Sequence, residues 1–234
     1  MGARAEKTVK TEAGSTVLAA FLLLSPFAFG LFYEYGACAA AVLLMGIWIY
    51  LIAIGRLLTF RFGITSAALL ALLAGYLVTP LWAVDSGMAL LGFFKFLPAA
   101  LFWLLLMQLG PEEREKLLLT VPVSGAVMTL LSFPTRWIPA LTPYFYASGR
   151  LGGFFQYSNT FALFLLLGII VLAFQKRRRA FCLAGILVLL FGIFATGSRT
   201  VFVLTVLVFL WICLARKRLR LPLLVMLLAG VTGA

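Results

Sequence analysis

Two arginines in glycine-rich stretches are the residues of this 234-residue chain best suited to chemistry: Arg150 in GRLGGFFQYSN and Arg199 in TGSRT. A guanidinium presents a planar fork of N–H donors that matches two oxygens of a phosphate. Two apolar runs, joined by the short basic turn QKRRR, separate the two arginines, so both return to the same side of a membrane. The helices on either side of that turn are expected to be neighbours. The pair therefore predicts a site for an anion, with phosphate as the best match.

The residues near Arg150 also suit an anion. Gly152 and Gly153 allow the backbone to approach a ligand closely. Ser158 or Asn159 is predicted to cap the next helix, whose N-terminus favours negative charge. The competing interpretation is that both arginines reach to outer lipid headgroups while the glycines only form turns. The residues alone leave these two interpretations open.

Lys95 lies inside an apolar run, where an ammonium is costly unless it is paired or meets a ligand. Three arrangements are open for it: reaching outward to headgroups, pairing with Asp85, or contributing to the same anion site. We favour a functional role for Lys95.

Several kinds of catalytic site are excluded. The chain contains no histidine, which rules out a Ser-His-Asp triad, a Cys-His pair and histidine-bound zinc within it. Its cysteines, Cys38, Cys182 and Cys213, lie in apolar runs without metal-type spacing, which favours a packing role. No two carboxylates are placed like a glycosidase pair. We expect no cofactor.

The composition indicates a membrane protein. The chain is 64% hydrophobic and 11% charged, with a mean hydropathy of +1.14, whereas a soluble domain is about 45–50% apolar and about 25% charged. Its net charge of +12 would suggest nucleic acid in a soluble protein. Here the basic residues cluster between apolar runs, where they act as orientation signals and contact anionic headgroups. We expect membrane lipids as partners and no nucleic acid.

An apolar run of about 20 residues crosses the roughly 30 Å hydrocarbon layer as a helix. This rule predicts an all-α, polytopic transmembrane helix bundle with about eight complete spans and a truncated ninth beginning near Leu221. The eight spans are predicted at 16–33, 35–55, 63–83, 88–109, 117–133, 159–174, 180–196 and 200–215. We expect a single transmembrane domain over 1–234, the N-terminal part of a longer protein. Residues 134–158 are expected to be an outer-face loop region at the interface, with a short re-entrant or interfacial helix.

The basic residues sort unequally between alternate loops. One side holds 15 of the 19 lysines and arginines and the other holds three, Arg136, Arg150 and Arg199, while Lys95 lies within a span. Basic residues accumulate on the cytoplasmic side of membrane proteins. The chain is therefore predicted to begin in the cytoplasm. The 15 residues are Arg4, Lys7, Lys10, Arg56, Arg61, Arg114, Lys116, Lys176, Arg177, Arg178, Arg179, Arg216, Lys217, Arg218 and Arg220.

The order RLGGFFQYSN and then TGSRT, about two spans later, resembles the O-antigen ligase and O-antigen polymerase superfamily, which are bacterial polytopic membrane glycosyltransferases. The stretch WAVDSGMALLGFFKF also fits this family, and the resemblance covers the chain from about Leu72 onward. The family pattern of Arg, Gly, aromatic and Asn, followed later by Ser-Arg, falls on Arg150, Gly153, Phe154, Asn159, Ser198 and Arg199.

The resemblance implies transfer of a glycan from undecaprenyl diphosphate to an acceptor sugar, without a metal, at the outer face of the bacterial cytoplasmic membrane. The implied partners are a lipid-linked glycan donor, a glycan acceptor and membrane lipids. Arg150 and Arg199 match arginines that hold the diphosphate and are the candidate catalytic residues. The candidate substrate-binding residues are Lys95, Gly153, Asn159 and Ser198.

The chain departs from the family pattern in two ways. In the ligases, a large outer loop after further spans carries an important histidine, which this chain does not contain, so the chain can be inactive alone. YSN also replaces the more usual Pro-Asn, which leaves the choice between ligase and polymerase open. Two other functions stay open: a transporter or flippase for a lipid-linked anion, and a non-catalytic membrane scaffold. The first should show inverted repeats and charges near the midplane, and we find neither.

Overall fold

A computed structural model describes residues 15–53, 63–147, 149–155, 157–175, 179–216, 219 and 222–225. The chain is all-α apart from one short hairpin, and five helices of this described part are long and apolar enough to cross a membrane. These five are Glu34–Ala53, Ile64–Leu81, Ser86–Met107, Pro111–Thr135 and Arg179–Thr196. Three shorter apolar helices are Ser15–Phe27, Ser158–Phe174 and Arg199–Ala215.

The elements are numbered in chain order. They are α1 (Ser15–Phe27), α2 (Glu34–Ala53), α3 (Ile64–Leu81), α4 (Ser86–Met107), α5 (Pro111–Leu118), α6 (Thr120–Thr135), α7 (Thr142–Phe145), β1 (Tyr146–Ala147), β2 (Arg150–Leu151), α8 (Ser158–Phe174), α9 (Arg179–Thr196) and α10 (Arg199–Ala215).

Each of the eight predicted spans overlaps one of these helices. The helix α1 ends at Phe27, before residue 33, where the first span was predicted to end. The backbone takes positive φ at Phe29, Gly30 and Leu31, a conformation that does not continue a right-handed helix. The eight-span count and the orientation stay predictions, since α8 and α10 have 17 residues each and are shorter than a usual span. The ninth span lies almost entirely outside the described residues. So do eleven of the predicted cytoplasmic basic residues, at 4, 7, 10, 56, 61, 176–178, 217, 218 and 220.

The chain forms two compact units. The first contains Met1–Val17 and Leu31–Arg114, and within it α4 packs against α2 and α3. The second contains Leu18–Gly30 and Glu115–Ala234, and within it α8 packs against α6, α9 and α10. The contact of α8 with α9 confirms that the two helices joined by QKRRR are neighbours. All candidate site residues except Lys95 belong to the second unit.

The core of the second unit is built around α8. Phe161, Leu165 and Ile169 recur every four residues along one face of α8 and are fully buried. Ile186 and Leu189 of α9 are fully buried in the same cluster. Close packing of these two faces therefore holds α8 and α9 together.

Glycines allow the helices of this core to approach closely. At Gly192 of α9, a Cβ would lie 2.7 Å from Leu165 Cδ1 and 2.7 Å from Thr129 Oγ1. At Gly125 of α6, a Cβ would lie 3.0 Å from a methyl carbon of Leu165 and 3.1 Å from one of Leu189. Small residues serve this purpose in membrane helices, where packing takes the place of hydrophobic exclusion from water.

Gly192→Ala should lower the free energy of unfolding of the second unit by about 1–3 kcal/mol, because the added methyl overpacks a filled core. The matched control is Gly46→Ala in α2, where a Cβ would meet nothing within 4 Å. Thermal unfolding in detergent would measure both variants. Equal melting temperatures for the two variants would contradict the close approach at Gly192.

The region at 134–158 contains a short helix and a hairpin that the sequence did not predict, while its place at the outer interface stays a prediction. The helix is α7, and the hairpin pairs Tyr146 with Leu151 and Ala147 with Arg150 in antiparallel register. Gly149, with a φ of 76°, lies in the connection between the strands. Two-residue strands carry no recognisable alternation of polar and apolar residues, so pattern alone does not reveal them.

Candidate functional site

A cleft of about 410 Å³ lies in the second unit, where α9 turns into α10. Its lining is mostly apolar, with one charged residue. The lining residues are Ile193, Phe194, Gly197, Ser198, Arg199, Phe202 and Val203. This combination suits a ligand that is apolar over most of its length and anionic at one end.

The N-terminus of α10 forms part of this cleft. Ser198 is the N-cap: its hydroxyl accepts a hydrogen bond from the Val201 N–H at 3.4 Å. Within the described residues, the N–H groups of Arg199 and Thr200 have no acceptor. Free N–H groups and the helix dipole both favour an anion at this position. Ser198, a candidate substrate-binding residue, therefore shapes the helix start and also lines the cleft.

Arg199 is exposed and lines the cleft. Its side chain makes no hydrogen bond and no ion pair to any residue that the structure describes. Val203, four residues later on α10, lies on the same face of the helix and lines the cleft as well. The whole guanidinium fork of Arg199 is thus available to a ligand whose apolar part runs along α10.

Arg150 is partly buried and holds the turn before Arg199. Its Nε donates to the Thr196 carbonyl at 3.0 Å, and its Nη2 donates to the Gly197 carbonyl at 3.1 Å and to Asn159 Oδ1 at 3.1 Å. The prediction that Arg150 and Arg199 face one site requires them to be near each other. The structure brings Arg150 into contact with Gly197 and Thr196, which precede Arg199 by two and three positions.

Two glycines take the left-handed conformation at these turns. Gly197, with a φ of 60°, lets the chain pass from α9 into α10. Gly153 has a φ of 56°, and a Cβ there would lie 3.1 Å from the Phe161 ring. Its missing side chain therefore leaves room for that ring. The substrate-binding role of Gly153 stays a prediction.

The predicted cap of the helix after Arg150 is wrong. The residue before α8 is Tyr157, and it makes no side-chain cap. Ser158 and Asn159 are the first two residues of the helix itself. Asn159 Oδ1 instead accepts from Arg150. A charged donor makes a stronger hydrogen bond than a neutral backbone N–H, so the guanidinium is the favoured partner of this oxygen.

Lys95 pairs with Glu34 and not with Asp85. Its Nζ lies 2.7 Å from Glu34 Oε1 and 5.4 Å from the centre of the Phe32 ring. Asp85 is the N-cap of α4 and accepts from the Met88 N–H at 2.9 Å. The tertiary contact of α2 with α4 decides this pairing. Participation of Lys95 in the anion site stays a prediction.

Lys95→Ala should change the melting temperature little, because the Lys95 and Glu34 side chains are 38% and 49% exposed and an exposed ion pair contributes little to stability. Thermal unfolding in detergent would measure this change. Glu34→Gln is the matched control, since it removes the same ion pair and leaves the ammonium. A large fall in melting temperature in both variants would show that the pair is a main structural contact.

Sequence reasoning did not single out Thr196 and Gly197, although their carbonyls hold Arg150. Thr196 is fully buried; its Oγ1 donates to the Ile193 carbonyl at 2.7 Å and accepts from the Ser198 N–H at 3.3 Å. A glycine directly after the end of a predicted helix marks a C-terminal cap. That signal was present in TGSRT and indicates a turn whose carbonyls need donors.

No protein-family model, curated protein or solved structure matches the chain. The likeness to the O-antigen ligase and polymerase superfamily therefore rests on the quoted motifs alone.

Proposed function

We propose that this chain binds a polyprenyl-diphosphate-linked glycan and takes part in its transfer to an acceptor sugar at the outer face of the bacterial cytoplasmic membrane. One observation carries the proposal. The cleft beside α10 joins an apolar lining to a helix N-terminus and to a guanidinium that has no partner among the residues that the structure describes.

Each part of such a donor has a matching part of the cleft. The diphosphate would contact Arg199 and the free N–H groups at the start of α10, since both are donors for phosphate oxygens. The apolar polyprenyl chain would lie against four hydrophobic residues of the lining. These are Ile193, Phe194, Phe202 and Val203.

Glycan transfer exchanges one bond at the sugar carbon for another. The bond from the sugar carbon to the phosphate oxygen breaks as the acceptor hydroxyl oxygen bonds to that carbon, and the departing electron pair stays on the diphosphate. Negative charge therefore develops beside Arg199, where fixed donors stabilise it without reorganisation. The acceptor hydroxyl must also lose a proton to a base. The family resemblance implies a histidine important for catalysis in the ligases, and this sequence contains none.

Binding of a prenyl diphosphate to the chain in lipid nanodiscs tests the first part of the proposal. We expect geranylgeranyl diphosphate to bind at least tenfold more tightly than geranylgeraniol, because Arg199 and the α10 N-terminus contact only the diphosphate. Inorganic pyrophosphate should compete for the headgroup position. Equal affinity for the alcohol and the diphosphate would contradict an anion site.

Transfer itself is tested with the full-length protein, a lipid-linked glycan donor and an acceptor glycan. We expect transfer to continue in the presence of a metal chelator. A protein that binds the donor and moves it between leaflets without forming a glycosidic bond would favour the flippase alternative.

A further inference from the structure

We infer that Arg150 is a positioning residue that locks the α9–α10 turn and so holds Arg199 and Ser198 at the cleft. The inference rests on the proposed function in one respect, since it concerns the same diphosphate site. It differs from the role that the motif implies for Arg150, which is direct contact with the diphosphate.

The hydrogen bonds of Arg150 leave no complete fork for a phosphate. A guanidinium has five N–H donors and offers paired donors along two edges, Nε with Nη2 and Nη1 with Nη2. In Arg150, Nε and both N–H groups of Nη2 have acceptors within the protein. Both edges include Nη2, so neither can bind two phosphate oxygens while these bonds last. Arg199 makes no such hydrogen bond to any described residue.

The acceptors of Arg150 lie where a helix needs a cation. Thr196 is the last residue of α9 and Gly197 follows it. Carbonyls at a helix C-terminus lack partners within the helix and carry the negative end of its dipole. Arg150 satisfies two of them from a separate hairpin. Because Ser198 and Arg199 come next in the chain, fixing these carbonyls also fixes the direction in which α10 begins.

Strand pairing, burial and a hydrogen bond to α6 fix the position of the hairpin that carries Arg150. Ala147 pairs with Arg150 across the strands, and the neighbouring Leu151 is only 2% exposed. The Tyr146 hydroxyl lies 3.3 Å from the Ser132 carbonyl of α6 and donates to it. Burial raises the pKa of this phenol, an effect that the positive charge of Arg136 opposes, so Tyr146 keeps its proton at neutral pH. The hairpin thus connects α6 to the α9–α10 turn through Arg150.

The test compares Arg150→Lys and Arg199→Lys in nanodiscs, with Arg136→Lys as a control because Arg136 is an exposed arginine. The first readout is hydrogen exchange at the amides of Gly197 and Phe202, which donate to Phe194 and Ser198 carbonyls. We expect Arg150→Lys to speed this exchange by about tenfold, since a lysine cannot bridge the three acceptors. Arg199→Lys and Arg136→Lys should leave it unchanged.

The second readout is the affinity for geranylgeranyl diphosphate and for geranylgeraniol. Arg150→Lys should weaken diphosphate binding about tenfold and leave binding of the alcohol unchanged, because only the headgroup donors are displaced. Millimolar guanidinium should restore slow exchange and diphosphate binding to Arg150→Ala. Loss of binding of both ligands together with a lower melting temperature would indicate only a structural role and would overturn the inference.

The two hypotheses fail differently. If Arg150→Lys weakens diphosphate binding while exchange at Gly197 and Phe202 stays slow, Arg150 contacts the ligand directly and the inference is wrong. If the unmodified chain does not prefer the diphosphate, the proposed function is wrong. The exchange readout then still decides whether Arg150 locks the turn.

Discussion

Replacing Arg199 with alanine is expected to weaken glycan transfer by the full-length protein about 100-fold or more, the usual effect of removing a donor that stabilises developing negative charge. Arg199 is the only charged residue of the cleft lining, and its guanidinium has no partner among the described residues. The substitution therefore removes a donor from the ligand and breaks no hydrogen bond or ion pair to any residue that the structure describes. The melting temperature should change little.

Arg199→Lys separates charge from geometry at this position. Lysine keeps the positive charge and loses the planar fork, so we expect a loss of roughly tenfold in transfer. Transfer from the lipid-linked donor would be measured in nanodiscs, with expression matched. Arg136→Ala is the control, as an exposed arginine that does not line the cleft. Wild-type transfer in both Arg199 variants would refute the proposed diphosphate site.

Filling the apolar part of the cleft should have the second-largest effect. Val203→Trp places a large ring where the proposed polyprenyl chain lies, and we expect affinity for geranylgeranyl diphosphate to fall by at least about tenfold, because the ligand loses buried apolar area. Competition by inorganic pyrophosphate should be unchanged, since the α10 N-terminus and Arg199 remain. Direct binding in nanodiscs gives both values.

Leu207→Trp is the matched control for that variant. Leu207 lies four residues after Val203 on α10, is 56% exposed and is not among the cleft residues. The same change in size therefore occurs on the same helix, outside the cleft. If Leu207→Trp weakens binding as much as Val203→Trp, the polyprenyl chain does not lie in the cleft as proposed.

Local sequence determined the helical character of this protein. Long apolar runs favour helices because every backbone N–H and carbonyl must be satisfied in lipid, and this requirement acts within each segment. The boundaries of α2, α4, α8, α9 and α10 accordingly lie within two residues of those predicted. The arginines and glycines of GRLGGFFQYSN and TGSRT identified these two segments as candidate sites. An arginine is disfavoured on the outer side of the membrane, and a glycine allows a turn or a close approach of the backbone.

Only the tertiary structure decided which groups those side chains contact. Arg150 and its acceptor Thr196 are 46 residues apart, and Lys95 pairs with Glu34 on another helix. Each of these contacts depends on how two segments distant in the sequence pack together, and a segment's own pattern does not contain this information. The number of free donors on a guanidinium depends in turn on those contacts. The sequence therefore identified the two arginines. Packing distinguished Arg150, whose fork holds a turn, from Arg199, whose fork has no partner among the described residues.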